Sequence, residues 1–317
     1  MRHPTRTVPT PRHFAFAQAI EFLAPRAVPS LETVSATAYR RSLRLDGRPI
    51  TVEVAQPADD RHGSQLAIRS TPALSPTSAR SFARGQFDLD ADLDRFRRQV
   101  AGDRTLGPLV RGSCGVRLVR YLDPFEGTVR AILGQQVSIA AARTMTDRVV
   151  RLDPVSAPRL DPGTDDDRLM FPTPAQIVAL GRTALCGVGL TNAKTDALIA
   201  VSDAVLSGVL DWAWLGEAPP DDAQARLESV RGIGPWTATY VRMRVLGDRD
   251  AFPASDLGVI KALQAASRSG VRPTVDEIVE RAEPWRPWRA YATLLLWRSL
   301  AKTPSTRKPG SRPRVRR

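Results

Sequence analysis

Between Ala225 and Gly247 the sequence ARLESVRGIGPWTATYVRMRVLG leaves the backbone few choices. Leu227 and Val230 close one amphipathic segment, Gly232-Ile233-Gly234 follows, and Pro235 then stands where a new helix begins. Glycine tolerates the left-handed backbone of a tight corner, and proline suits a first helical position because its missing N–H would be unsatisfied there anyway. Residues 231–236 are therefore read as a hairpin corner between two helices. Such a corner turns main-chain N–H groups and the positive end of a helix outward, which suits a DNA phosphate without any base preference. An ordinary helix–helix turn has the same spelling, as Gly187-Val188-Gly189 illustrates, so the corner's own residues leave both readings open.

The chain after Phe125 is helical in pattern. In FEGTVRAILGQQVSIAAARTMTDRVVRL, residues Val129, Ile132, Leu133, Val137 and Ala140 recur at three-to-four spacing and predict one long buried face. Further helices are expected at about 174–182, with Thr173 as N-cap and Pro174 in the first turn, at 190–208 and at 222–231. Residues 153–174, with five prolines and the run Asp165-Asp166-Asp167, read as a loop. Upstream, 15–26 is a short amphipathic segment, and alternating stretches at 42–45, 51–55 and 65–69 around the Asp46-Gly47 turn signal predict an antiparallel sheet. Residues 88–99, with Leu93, Phe96 and Val100 at helical spacing, are expected to begin the helical part. The expected organisation is a loose basic arm over 1–13, an α+β N-terminal domain with a small antiparallel sheet over 14–110, a mostly α-helical domain over 111–301, and a disordered basic tail over 302–317.

The formal net charge of the 317 residues is +13, and the tail KTPSTRKPGSRPRVRR carries seven basic residues without an acid. That balance favours a polyanionic partner, because each neutralised phosphate releases condensed counterions. No run reaches the roughly 18 apolar residues of a membrane span, and MRHPTRTVPTPRH leads into no signal-peptide core, so a cytoplasmic location away from membranes is expected. The two cysteines, Cys114 and Cys186, cannot build a disulfide framework, a four-cysteine cluster or a structural zinc site. His3, His13 and His62 all lie in the N-terminal fifth, so chemistry in the C-terminal half has to proceed without imidazole. Carboxylates remain as the reactive groups, and neither metal nor cofactor is expected.

Downstream of the corner lie AFPASDLGVIKAL, residues 251–263, and AEPWRPWRAYATLLLW, residues 282–297; upstream lie FLAPRAVPSLETV, 22–34, and YLDPFEGTVRAILGQQVSIAAA, 121–142. With the corner, these segments resemble the helix-hairpin-helix DNA glycosylase superfamily, and in detail the DNA-3-methyladenine glycosylase II (AlkA-like) family, over most of the chain outside the basic termini. The resemblance implies a monomeric enzyme that flips alkylated bases out of double-stranded DNA and hydrolyses their N-glycosidic bonds. It makes Gly232, Ile233 and Gly234 the DNA-binding hairpin and Asp256 the catalytic carboxylate. From the residues alone, Asp256 reads equally as an acid capping a helix that starts at Leu257. The resemblance further implies a base pocket walled by Trp236, Tyr240, Trp297 and Phe22, with Leu257 where some relatives have tyrosine. Gln136, beside Gln135, would fill the gap left by the extruded base. Trp285 and Trp288 read better as core. Bifunctional relatives place a Schiff-base lysine two residues after the corner's second glycine; here that residue is Trp236, and Lys261 stands on the wrong side of its helix, so hydrolysis without strand cleavage is implied. The alternative from a different class is a non-catalytic helix-hairpin-helix DNA-binding protein, which would need neither Asp256 nor an aromatic pocket.

Overall fold

The computed structural model describes residues 4–57, 64–113, 115–152, 168–267 and 270–302. Most of the expected proline-rich loop, 153–167, and the basic tail beyond Lys302 lie outside the described residues. A five-stranded sheet of β1 Arg6–Pro9, β2 Glu32–Val34, β3 Ala38–Leu45, β4 Arg48–Ala55 and β5 Gln65–Thr71 opens the chain, in the order β1-β5-β4-β3-β2 and antiparallel throughout. Asp46 and Gly47 take left-handed φ values of 50° and 74°, which is the two-residue turn that matches strand twist. Leu43, Val52, Val54, Leu66 and Ile68 form one buried face of the sheet, packed with Phe16 and Phe82 from the helices Phe16–Leu23 and Pro76–Phe87.

Two expectations need correction here. Of the arm expected to be loose over 1–13, the stretch Arg6–Pro9 is not: it pairs with β5, Arg6 opposite Ile68, and Val8 is buried. The helical part begins before residue 88, with Pro76–Phe87, whose N-cap Ser75 accepts from the Ser78 N–H and whose C-cap, Asp88, is left-handed. The next helix runs from Leu93 to Val100 behind its own cap, Asp92.

The helical body has two cores. One gathers Pro124–Leu133, Asn192–Leu206, Pro220–Glu228 and Pro235–Val241; the other gathers Leu93–Val100, Leu106–Arg111, Leu257–Ala266 and Arg289–Lys302 around Trp285 and Trp288, both buried as expected. Tyr240 packs against both, and a cleft runs between them. The single long face expected from 125 to 140 is broken. The helix Pro124–Leu133 stops where Lys194 Nζ donates to the Leu133 carbonyl at 2.7 Å, Gln136 turns left-handed at φ 56°, and Ser138 caps a second helix, Ile139–Val150. Val137 and Ala140 are consequently exposed rather than buried. Thr173 caps Pro174–Gly187 in a reciprocal capping box with Gln176, and the unexpected short helix Trp212–Glu217 starts on Asp211.

Buried charges tie the sheet to the helices. Arg41 on β3 pairs with Glu126, and Arg130 reaches Glu126 at 3.0 Å and Glu32 on β2 at 2.9 Å. Burial alone would raise the Glu32 carboxyl pKa, but Arg130 and Arg41 outweigh it and hold it below the usual value. Asp123, the N-cap of the helix Pro124–Leu133, goes the other way: burial and neighbouring Glu126 push it up to about 6 despite its bond from the Glu126 N–H. Its folded pKa lies above its unfolded one, so its contribution is fully present below about pH 4 and is lost as pH rises through 6. Asparagine caps as well as aspartate and carries no charge. Asp123→Asn should therefore match wild type at pH 4 and exceed it by about 1–3 kcal/mol at pH 8. Denaturant melts at the two pH values check this, and a difference that does not change with pH would contradict it.

Candidate active site

The helices Pro220–Glu228 and Pro235–Val241 meet at the corner foreseen in the sequence. Gly232 has φ +92°, and a Cβ there would lie 2.2 Å from Ala197 Cβ and 3.0 Å from its Cα, so the corner closes only on a glycine. Gly234 is different: its φ of −90° is open to any residue, and nothing lies within 4 Å of where its Cβ would be. Among the described residues neither glycine N–H finds a protein acceptor, and both residues are exposed. Ile233 between them anchors the corner: its side chain is buried in the first core and its N–H donates to the Val230 carbonyl. Gln135 is likewise not free to plug a gap. Its Nε2 donates to the Gly232 carbonyl at 3.0 Å and to Thr237 Oγ1 at 2.7 Å, fastening the corner to the end of the helix Pro124–Leu133.

A cleft of about 1240 Å³ opens beside the corner, and Phe22, Trp236, Tyr240, Asp256, Leu257 and Trp297 all line it, with Gln136 at its rim. The four-residue spacing of Trp236 and Tyr240 stacks their rings at 5.3 Å, and Trp297 lies 6.3 Å from Tyr240, giving a continuous aromatic wall. Asp256 is both a helix cap and a cleft residue. Its Oδ1 accepts from the Gly258 and Val259 N–H groups at 2.8 and 3.0 Å and from Trp297 Nε1 at 2.8 Å; its Oδ2 accepts from Trp236 Nε1 at 3.0 Å. Four N–H donors thus fix a half-buried carboxylate, and Oδ2, with one partner, retains capacity for a water. The two indoles expected only as stacking surfaces also orient the acid. Leu257 is 58% exposed at the mouth, and Lys261 is exposed on the helix Leu257–Ala266.

Three contributors escaped the sequence reading. Gly258 makes room for Trp297: a Cβ on it would stand 2.7 Å from Trp297 Cδ1, and the only signal was a glycine in a helical first turn, where it weakens the helix. The others are Arg26 and Arg244, whose guanidinium carbons lie 3.9 and 4.4 Å from the Phe22 ring centre. The spacing of Phe22 and Arg26 was a visible hint; Arg244 is brought in from more than two hundred residues away by the π-helical turn Arg242–Leu246.

A family model for the AlkA N-terminal domain matches residues 7–123, and one for the HhH-GPD superfamily of base excision DNA repair proteins matches 129–287. The chain belongs to the HhH-GPD superfamily. It is 35% identical over 278 residues to DNA-3-methyladenine glycosylase 2 of Escherichia coli, covering 87% of this chain and 90% of that protein. It is 34% identical over 299 residues to a probable bifunctional transcriptional activator/DNA repair enzyme AlkA of Mycobacterium tuberculosis, covering 92% of this chain but only 56% of that longer protein. In fold it is similar to the 3-methyladenine DNA-glycosylase of Archaeoglobus fulgidus, with a TM-score of 0.77 at 22% identity over 92% of this chain and 96% of that one.

Proposed function

We propose that this chain is a monofunctional DNA glycosylase that extrudes alkylated bases, of the 3-methyladenine type, from duplex DNA and hydrolyses their N-glycosidic bonds in base excision repair. The observation that carries this reading is the convergence of four N–H donors, two of them indoles, on Asp256, the cap of the helix Leu257–Ala266, inside an aromatic cleft beside the bare corner. The names of the relatives support alkylated purines as the class of base.

Leaving of the base builds positive charge on the deoxyribose. A carboxylate about 4 Å away at an effective dielectric near 20 stabilises it by roughly 4 kcal/mol, about a thousandfold in rate. Asp256 supplies that anion already oriented, and a water on Oδ2 would stand ready to attack the cation. The Gly232 and Gly234 N–H groups hold a phosphate, which sets register without reading sequence. The extruded base, electron-poor after alkylation, stacks on the wall of Trp236, Tyr240 and Trp297. Gln136, at the exposed tip of the turn between two helices, enters the gap; Val137, 41% exposed, and Ile139, 45% exposed, supply beside it the apolar surface that an amide lacks.

No lysine lines the cleft among its described residues, and Trp236 occupies the Schiff-base position. A duplex bearing one methylated purine should therefore accumulate abasic sites that break only when alkali is added. Strand breaks before alkali, or a covalent adduct trapped by borohydride, would contradict hydrolysis without lyase chemistry.

A further inference from the structure

Phe22 presents itself to the cleft together with arginine. Arg26 also lines the cleft, its Cζ 3.9 Å from the Phe22 ring centre and its Nη1 donating to the Phe22 carbonyl at 2.9 Å. Among the described residues its Nε and Nη2 have no protein acceptor. Arg244 stands behind the lining: it is 2% exposed, 4.4 Å from the Phe22 ring centre, 5.2 Å from Tyr121 and 5.8 Å from Tyr240, and its buried Nε and Nη1 meet no hydrogen-bond acceptor. The other buried arginines nearby, Arg41 and Arg130, are matched by Glu32 and Glu126. Among the described residues no ion pair reaches Arg26 or Arg244, and of the acids lining the cleft Glu21 is engaged by Arg298 at 2.8 Å and Asp256 by the indoles. Burial lowers the Arg26 pKa, and Arg244 and Arg130 push the same way, as positive charges crowded together must.

A base lying between the indole wall and Phe22 meets opposed influences. The indole faces attract a cationic ring, whereas the Arg26 guanidinium repels one and offers free N–H donors to a carbonyl or ring nitrogen. Resting on the glycosylase reading above, we propose that Arg26, backed by Arg244, is a specificity-determining residue that weights the pocket against bases with a fixed positive charge and toward neutral bases presenting an acceptor edge. Unit charges within 4–8 Å at an effective dielectric near 20 repel by more than a factor of ten in rate. The open cleft is partly screened, so about tenfold is the expected size.

The experiment compares single-turnover release of 7-methylguanine, a cationic base, and hypoxanthine, a neutral base with an acceptor edge, from otherwise identical duplexes. Referring each rate ratio to wild type cancels the intrinsic lability of the two glycosidic bonds. Arg26→Gln and Arg26→Met, the second of which keeps an apolar stem over Phe22, should each raise the ratio of cationic to neutral release about tenfold; Arg26→Lys, which keeps the charge, should leave it within about threefold of wild type. Melting temperatures identify any variant that has unfolded, and the other neutral replacement then decides. A ratio unmoved in a folded neutral variant, or moved as far by lysine as by glutamine, overturns the proposal. A wild type that releases neither base removes the glycosylase reading itself and this proposal with it.

Discussion

Gly232→Ala is expected to lower the stability of the protein by about 2–4 kcal/mol and to weaken its grip on DNA together. The methyl group would arrive 2.2 Å from Ala197 Cβ and 3.0 Å from Ala197 Cα, and Ala197 is itself buried within the helix Asn192–Leu206. The far end of a flexible side chain is not what blocks it, so the corner or the helix has to move. A non-glycine residue at φ +92° adds about 1–2 kcal/mol of backbone strain. At roughly 2–4 °C per kcal/mol, a thermal melt should shift down by about 5–15 °C. Displacing the corner also moves the N–H groups of Gly232 and Gly234, so affinity for an abasic-site duplex should fall tenfold or more. Gly234→Ala is the internal control: its site is sterically open and its φ is ordinary, so its melting temperature should stay within a few degrees of wild type. A Gly232→Ala protein that melts and binds like wild type would show that the corner does not depend on close approach.

The corner was legible because its determinants are local: a left-handed glycine, a proline in the first turn and a flanking apolar rhythm all lie within a dozen residues. The hairpin of β3 and β4 was legible for the same reason, through Asp46-Gly47. What escaped was set by distant partners or by caps. β1 is only four residues long and exists because β5, some sixty residues away, offers it an edge. The helix Pro76–Phe87 is arginine- and serine-rich with few apolar positions, so no stripe announced it, although Ser75-Pro76 was a usable start signal. Between Leu133 and Ile139 the apolar spacing runs on without interruption, yet Ser138 as a cap and Lys194 on the Leu133 carbonyl stop one helix and start another.

The site divides along the same line. The roles of the aromatic wall and of Asp256 were legible through the family resemblance, since the residues alone left Asp256 a helix cap and the aromatics core; the structure gathers them in one cleft. Their mutual arrangement was not readable. Nothing in the one-dimensional order says that the indole N–H groups of Trp236 and Trp297 point at the carboxylate, that Gln135 fastens the corner, or that Arg26 and Arg244 share one phenyl ring. The two readings of Asp256, cap or cleft acid, turn out not to exclude one another in geometry.

Their energetics still separate them. In Asp256→Asn the amide oxygen can keep the three bonds from Gly258, Val259 and Trp297, while its NH2 group faces the Trp236 N–H, one donor against another. That mismatch costs about 1–2 kcal/mol, or a few degrees of melting temperature, and the helix keeps its cap. Removing the anion removes the Coulomb stabilisation of the sugar cation, which is worth about a hundredfold to a thousandfold in rate. Affinity for an abasic-site duplex should hold or rise, because one negative charge has left a groove that faces phosphates. The most direct measurement is the single-turnover release of 7-methylguanine from duplex DNA at saturating protein, wild type beside Asp256→Asn, with both melting temperatures recorded. Release at least a hundredfold slower in a variant that stays folded and bound is the predicted result; release at the wild-type rate would contradict the carboxylate mechanism and leave Asp256 a helix cap.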